Sequence, residues 1–259
     1  MEQLSAFIGI RSNALIRPIV GQAKSTIDFR RVLDNRQILL IKLSKGVLGE
    51  LDTELLGSFI LSKIFVAAMG RAQVKADRRS SFHLYVDEFQ NFTNDSVAHM
   101  LSEARKYGLY LTLANQNLSQ LKANFGRQNI LDAVLGNIAN LVTFRVGPGD
   151  AEKLLPYTEP EFGSLDLQGL PNFHALGRLM TPQGPTRPFV FRTLAPNADG
   201  GYMRAKPEVW QLRENHYTKP VAEVEAQILE RQTVHKGKKD PNSRGKATVT
   251  EILGGLSGR

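Results

Sequence analysis

Two acids stand side by side, Asp87 and Glu88, directly after alternating apolar residues in "FHLYVD" (82–87). A carboxylate at the tip of a strand can hold a magnesium ion through its water shell, since that ion prefers oxygen ligands and keeps several waters. A second carboxylate beside it points elsewhere and can orient or deprotonate an attacking water. A second apolar run, "LYLTLANQ" (109–116), ends in Asn115 and Gln116, and a third, "NLVTFRVG" (140–147), carries Arg145 near its end. An amide on the strand next to the acids can hydrogen-bond the same water or a terminal phosphate. Open parallel sheets bind ligands beyond the carboxyl ends of their strands, so two acids, two amides and a cation are expected at one sheet edge. The competing reading is that Asp87 and Glu88 merely open a turn. Gln116 at the end of the following strand weighs against it.

The elements that would position these groups follow from periodicity. "QILLIKL" (37–43) reads as a strand buried on both faces. Residues 51–70 carry Leu51, Leu55, Leu56, Phe59, Ile60 and Ile64 at helical spacing. A helix is expected over 95–108, capped by Asn94 and stopped by Gly108, and another over 127–137. "DAEKLL" (150–155) opens a further helix. Strands alternating with helices of this length imply an α/β fold with a mainly parallel sheet and flanking helices. The pattern then changes: residues 177–194 read as a β-hairpin around Gln183-Gly184-Pro185. A Pro/Gly-rich link (196–207), a C-terminal helix (219–232) and a polar basic tail follow. The expected division is 1–195 as the α/β core, 196–232 as linker and helix, and 233–259 as a disordered tail.

Composition narrows the classes. Apolar residues make up 42% and charged residues 22%, as in ordinary globular chains. With no cysteine, neither disulfides nor a cysteine metal site is available. The five histidines stand at no metal-ligand spacing. The N-terminus lacks the layout of a signal peptide, and the most apolar stretch, 55–70, is short for a bilayer and reads as a buried helix. Net charge is +8, which favours an anionic partner. Residues 233–259 hold six lysines and arginines against two acids, half of that excess. For Lys236, Lys238, Lys239, Arg244 and Lys246 two readings stay open, contact with nucleic-acid phosphates or a solvated tail.

A nucleotide-hydrolysing site also needs a phosphate cradle of the form G-x-x-x-x-G-K-[ST], whose backbone amides wrap the phosphates. The one candidate, "VGQAKSTID" (20–28), has Ala23 before Lys24 and no glycine at the first position of the motif. Pro18 interrupts the run that would be its leading strand. It reads as a decoy.

"FHLYVDEFQNF", "LSEARKYGLYLTLANQNLSQL" and "GNIANLVTFRVGPGDAEKL", in that order and spacing, resemble the carboxyl-terminal half of the motor domain of HerA–FtsK superfamily ATPases, most of all the TraG/TraD type of conjugation and type IV secretion. The likeness covers about residues 16–195. It implies a partial RecA-like P-loop core in which Asp87 is the Walker B magnesium acid, Glu88 the catalytic glutamate and Gln116 the polar sensor, with the Walker A region lacking. It also implies ATP and magnesium as cofactors of the full-length motor, with binding by this chain alone doubtful. The implied partners are DNA and secretion or relaxosome proteins, in a hexamer on the cytoplasmic side, recruited to the inner face of the membrane. Arg105 and Arg145 sit where such proteins place arginines that reach a neighbouring subunit's nucleotide. The alternatives stay open: Arg105 as a helix charge paired with Glu103 or Asp87, and Arg145 as a strand-end arginine capping carbonyls. Two functions follow, half of an ATP-driven DNA-translocating motor, or a non-catalytic DNA- or partner-binding adaptor with a vestigial nucleotide site.

Overall fold

Apolar periods of two and of 3.6 residues alternate along most of the chain, and strands and helices form accordingly. The structure is a computed structural model that describes residues 13–93, 95–121, 130–194, 211 and 217–237. In chain order the elements are α1 (Arg17–Val20), α2 (Phe29–Asp34), α3 (Lys45–Leu48), α4 (Glu50–Met69), β1 (Phe82–Val86), α5 (Asp95–Glu103), β2 (Leu109–Leu113), α6 (Ile130–Asn137), β3 (Leu141–Thr143), α7 (Pro148–Thr158), α8 (Ser164–Gln168), β4 (His174–Arg178), β5 (Met180–Thr181), β6 (Gly184–Pro185), β7 (Phe189–Arg192) and α9 (Val221–Gly237). They fall into two units, Ile27–Lys206 and the pair of segments Met1–Thr26 and Pro207–Arg259.

In the larger unit β1 and β2 pair in parallel, Phe82 opposite Leu109 and Val86 opposite Leu113. With a side-chain period of two, Phe82, Leu84 and Val86 share one face with Leu109, Leu111 and Leu113. That face joins Leu61, Ile64, Phe65 and Ala68 of α4 and Val97 and Met100 of α5 in one core. Each fully buried Leu, Ile or Phe contributes about 1.5–3 kcal/mol. Helix α4 begins with Glu50 and Asp52 in its first turn, favourable charges for the amino end of a helix. It is apolar nearly all round and, among the described residues, the one helix long and apolar enough to cross a membrane. Here its buried side packs in the core, while Leu51, Phe59 and Val66 are exposed.

A turn of 3-10 helix after α4 carries Arg71 into the interior, where it is fully buried. Its Nε donates to Asp34 Oδ1 at 2.9 Å, and its Nη1 donates to Ser80 O at 2.8 Å and Tyr107 O at 3.2 Å. Ser80 and Tyr107 each lead into one strand of the parallel pair, so one guanidinium ties both lead-ins to α2. Gly108, at φ 72°, makes the sharp entry into β2, and a Cβ there would lie 3.2 Å from Ser80 O. That glycine and the 3-10 turn Ala104–Tyr107 end α5 at Glu103, earlier than the expected 108.

The remaining strands of this unit are antiparallel, β3 pairing with β4, β4 with β7, and β5 with β6. The expected hairpin is therefore present as β4–β7, and its Gln183-Gly184 turn is closed by β5–β6. The expected strand at 37–43 is not. That segment is irregular, and Ile38 and Leu40 are 90% and 81% exposed. An apolar run becomes a buried strand only where a neighbour pairs with it, and no strand among the described residues does. In the smaller unit Ile16, Val224 and Ile228 are buried, Arg17 pairs with Glu225, and Arg231 donates to Gly21 O. Asn94, the link 196–207 and the tail beyond 237 lie outside the described residues.

Two outcomes follow for Arg71 and its partner. Arg71→Ala strips donors from two carbonyls and opens a cavity, and should lower unfolding stability by about 3 kcal/mol in denaturant titration. Burial works to raise the Asp34 carboxyl, but hydrogen bonds and charge from Arg30 and Arg71 outweigh it and hold it below its ordinary 3.8. A lowered folded value means stability present above 3.8 and lost as pH falls through the folded value. Asp34→Asn should abolish that part of the acid limb in melting temperature against pH.

Candidate functional site

The tip of β1 is fastened before its acids are placed. Ala114 N donates to Val86 O and Phe89 N donates to Ala114 O, both at 2.9 Å, lacing the two strand ends together just past their last ladder pairs. Phe89 is fully buried. Phe92 lies against Gly57 of α4, where a Cβ would come within 2.2 Å of its ring. Phe89 and Phe92, one and four places after Glu88, thus anchor the loop that follows the acids.

Between Val86 and Phe89 the chain must reverse sharply, and it does so at Glu88, whose φ of 50° and ψ of 44° are left-handed. For a residue with a Cβ that conformation costs about 1–2 kcal/mol, and such strain gathers at functional sites. Asp87 is exposed, and its Oδ1 accepts from Glu88 N at 3.0 Å. Glu88 is half-buried, with both carboxylate oxygens engaged: Gln116 Nε2 donates to Oε1 at 2.6 Å and Gln90 Nε2 to Oε2 at 2.5 Å. The amide at the end of β2 and the acid at the end of β1 therefore meet on one rim, in direct contact. Oε1 of Gln90 is buried without a partner, so the amide is aimed by its contact with Glu88 rather than by a network of its own.

Lys45, exposed on α3, donates to Asn91 Oδ1 at 2.8 Å and pairs with Glu50 at 3.0 Å, which puts a cation beside the loop that follows the acids. Neither Gln90 nor Lys45 stands out in the sequence. For Gln90 the only signal is its place two residues after an acid in a tight turn. On the other side of Gln116, Asn117 and Ser119 face Gly147, Gly149, Asp150 and Lys153 across a cleft of about 220 Å³. Asp150 fixes that cleft by accepting from Leu118 N at 2.9 Å and pairing with Lys153 at 3.3 Å. It is smaller than the roughly 300–1,000 Å³ of a ligand pocket.

The arginines lie elsewhere. Arg145 is exposed past β3 and reaches Asn172 Oδ1 at 3.4 Å. Arg105 is exposed in the turn before β2, at the amino rim of the parallel pair, opposite its own acids. Its neighbour Glu103 pairs with Lys106 instead. Residues 21–28 are irregular, follow the four-residue α1, which ends at Val20, and precede the six-residue α2, whereas a phosphate cradle runs from a strand into a helix. Among the described residues no three His, Cys, Asp or Glu side chains gather as a metal cluster. The donor set fits magnesium in one respect, an exposed hard oxygen on Asp87 that can bind the ion's waters. Lys236 lies near the end of α9, and Lys238, Lys239, Arg244 and Lys246 fall outside the described residues.

Residues 81–155 match the family model described as the TraM recognition site of TraD and TraG. No curated protein matches the chain. Among solved structures, the chain resembles the unbound bacterial conjugative coupling protein TrwBΔN70, with 16% identity and a TM-score of 0.51 over 65% of this chain and 43% of that one. It also aligns with the genome-packaging NTPase B204 of Sulfolobus turreted icosahedral virus 2 in complex with ATPγS (12% identity, TM-score 0.43, 66% of this chain and 74% of that one). The plasmid coupling protein TrwB with the GTP analogue GDPNP gives 13% identity and a TM-score of 0.41, over 57% and 37%. The first of these likenesses is one of fold: this mixed α/β chain resembles that coupling protein and spans less than half of its length. The family match falls on β1, β2, β3 and the helices between them, and it is over that segment that the chain is similar to TraD and TraG.

Proposed function

We propose that this chain supplies the magnesium-holding, water-activating and sensing groups of an ATP-driven DNA-translocating motor for conjugation or type IV secretion, and that it does not turn over nucleotide alone. The observation that carries this reading is the 2.6 Å contact between Gln116 and Glu88 across neighbouring parallel strands. In this reading Asp87 holds magnesium through its waters, and the ion supplies charge neutralisation at the phosphates. Glu88 takes the proton from the attacking water. To do so one of its oxygens must be released from Gln90 or Gln116, and a terminal phosphate that draws Gln116 away would free Oε1. Arg105, at the far rim, is out of reach of a nucleotide at its own acids and would meet one only across a subunit boundary in a ring of six.

The other half of the site, the phosphate cradle, has no counterpart in residues 20–28. The sheet supports this incompleteness. Parallel sheets are ordinarily covered on both faces, yet here His83, Tyr85, Tyr110 and Thr112 form an open face, with Tyr85 71% exposed and His83 stacked on Tyr110 at 5.2 Å. Cytoplasmic residence, recruitment to the inner membrane face and docking to secretion proteins belong to the same proposal.

A second reading is favoured by the description of the matched family segment, a TraM recognition site. There residues 81–155 dock a relaxosome protein without nucleotide, and the acids are vestigial. The readings separate by measurement. The motor reading expects no ATPase activity from the isolated chain, and robust turnover would overturn it in this form. It also expects a G-x-x-x-x-G-K-[ST] segment in the coding sequence upstream of Met1. With that segment joined, Glu88→Gln should lower turnover by about 10²–10⁴-fold while nucleotide still binds. The adaptor reading expects purified TraM to bind the chain equally well without ATP and with Glu88→Gln.

A further inference from the structure

The charge of the folded part is gathered at one end of the sheet. Residues 28–36, 70–80 and 103–107 contain nine lysines and arginines against four acids, a net +5 in a chain of net +8. These three segments meet at the amino rim of β1 and β2. Arg71 reaches Asp34, Ser80 O and Tyr107 O. Arg36 Nε donates to Ser80 Oγ at 3.4 Å, while Arg79 donates to Lys106 O and lies 5.7 Å from the centre of the Tyr107 ring.

Part of this charge is used internally. Arg30 and Arg71 pair with Asp34, and Lys106 pairs with Glu103. Lys75, Arg78 and Arg105 are exposed and have no ion pair among the described residues, Arg36 has only its serine, and Asp77 is the one acid of segments 70–80 and 103–107 left over. Bringing like charges together costs self-repulsion that a polyanion relieves. The length of β1 puts this pole about 17 Å from Glu88, too far to serve a phosphate at the opposite rim of the same chain.

We propose that Arg36, Lys75, Arg78 and Arg105 form a docking surface for the phosphate backbone of DNA, separate from both the strand-tip site and the basic tail. Ile38 and Leu40, past Arg36, are exposed, but segments 70–81 and 103–108, which carry Lys75, Arg78 and Arg105, expose no large apolar side chain. These segments offer a membrane nothing to bury and a protein partner no apolar anchor. What remains is recognition by charge, the means by which proteins hold a nucleic-acid backbone independent of sequence. The choice of DNA over RNA rests on the motor reading, but the surface does not.

The test is fluorescence anisotropy of the full chain with labelled single-stranded DNA, duplex DNA and single-stranded RNA, over a series of salt concentrations. Against wild type, Lys75→Ala/Arg78→Ala/Arg105→Ala should weaken binding alike on every sequence. It should also flatten the plot of log affinity against log salt by about 2–3 units. Charge reversal at the same exposed positions should weaken it further, with circular dichroism and melting temperature unchanged. Asp87→Asn should leave DNA binding as it was, so failure of the nucleotide reading would not disturb this one. An unchanged slope in the triple variant, with affinity lost only on replacing Lys238, Lys239, Arg244 and Lys246 by alanine, would overturn the proposal. So would absence of DNA binding at low salt, RNA held in preference to DNA, or binding confined to anionic lipid vesicles or acidic peptides.

Discussion

The register of one parallel strand pair governs everything of functional interest in this chain. Phe82 opposite Leu109 and Val86 opposite Leu113 set three apolar side chains of each strand on the core face and bring the two tips level, so Glu88 and Gln116 can touch. A slip of one residue would turn Leu84 and Val86 to the open face and bury His83 and Tyr85. It would also carry Gln116 about 3 Å along the strand axis, out of reach of the carboxylate. The register is held at both ends. At the amino rim a single guanidinium binds one carbonyl from each lead-in, and at the carboxyl rim Ala114 and Phe89 exchange backbone hydrogen bonds with the partner strand. Two strands bury too little surface to define their own alignment, and these clamps supply what a wider sheet would.

The strand-tip arrangement was legible in the sequence because it depends on local properties. Alternation in 82–86 and 109–113, an acid pair at the end of one run and an amide near the end of the next are each visible without tertiary information. Their conjunction suffices once the strands are taken as parallel neighbours. What was not legible depends on long-range placement. Nothing around Arg71 in "GRAQVK" marks it as the most buried charged residue of the fold, because its partners come from residues 34, 80 and 107. Gln90 looks like any loop glutamine until Glu88 is seen in the left-handed region, which brings the two side chains together.

The failure at 37–43 has the same cause. Its run of Ile and Leu has the composition of a central strand, but composition reports only a tendency to be covered. Whether covering occurs depends on a neighbour with free backbone groups, and none among the described residues meets it. The open face with Tyr85 and Tyr110 and the exposed side of α4 show the same condition. Together they leave apolar surface uncovered among the described residues.

The two rims of the β1–β2 pair are chemically opposite, and this follows from how the chain enters and leaves its strands. Helices and 3-10 turns end at the amino rim, where lysines and arginines complement the carbonyls of a helix terminus; Arg71 and Arg79 bind such carbonyls directly. At the carboxyl rim the chain leaves β1 in a tight turn, and Asp87, Glu88 and Gln116 gather there. A positive pole and an acidic pole separated by the length of one strand give the domain a fixed electrical direction.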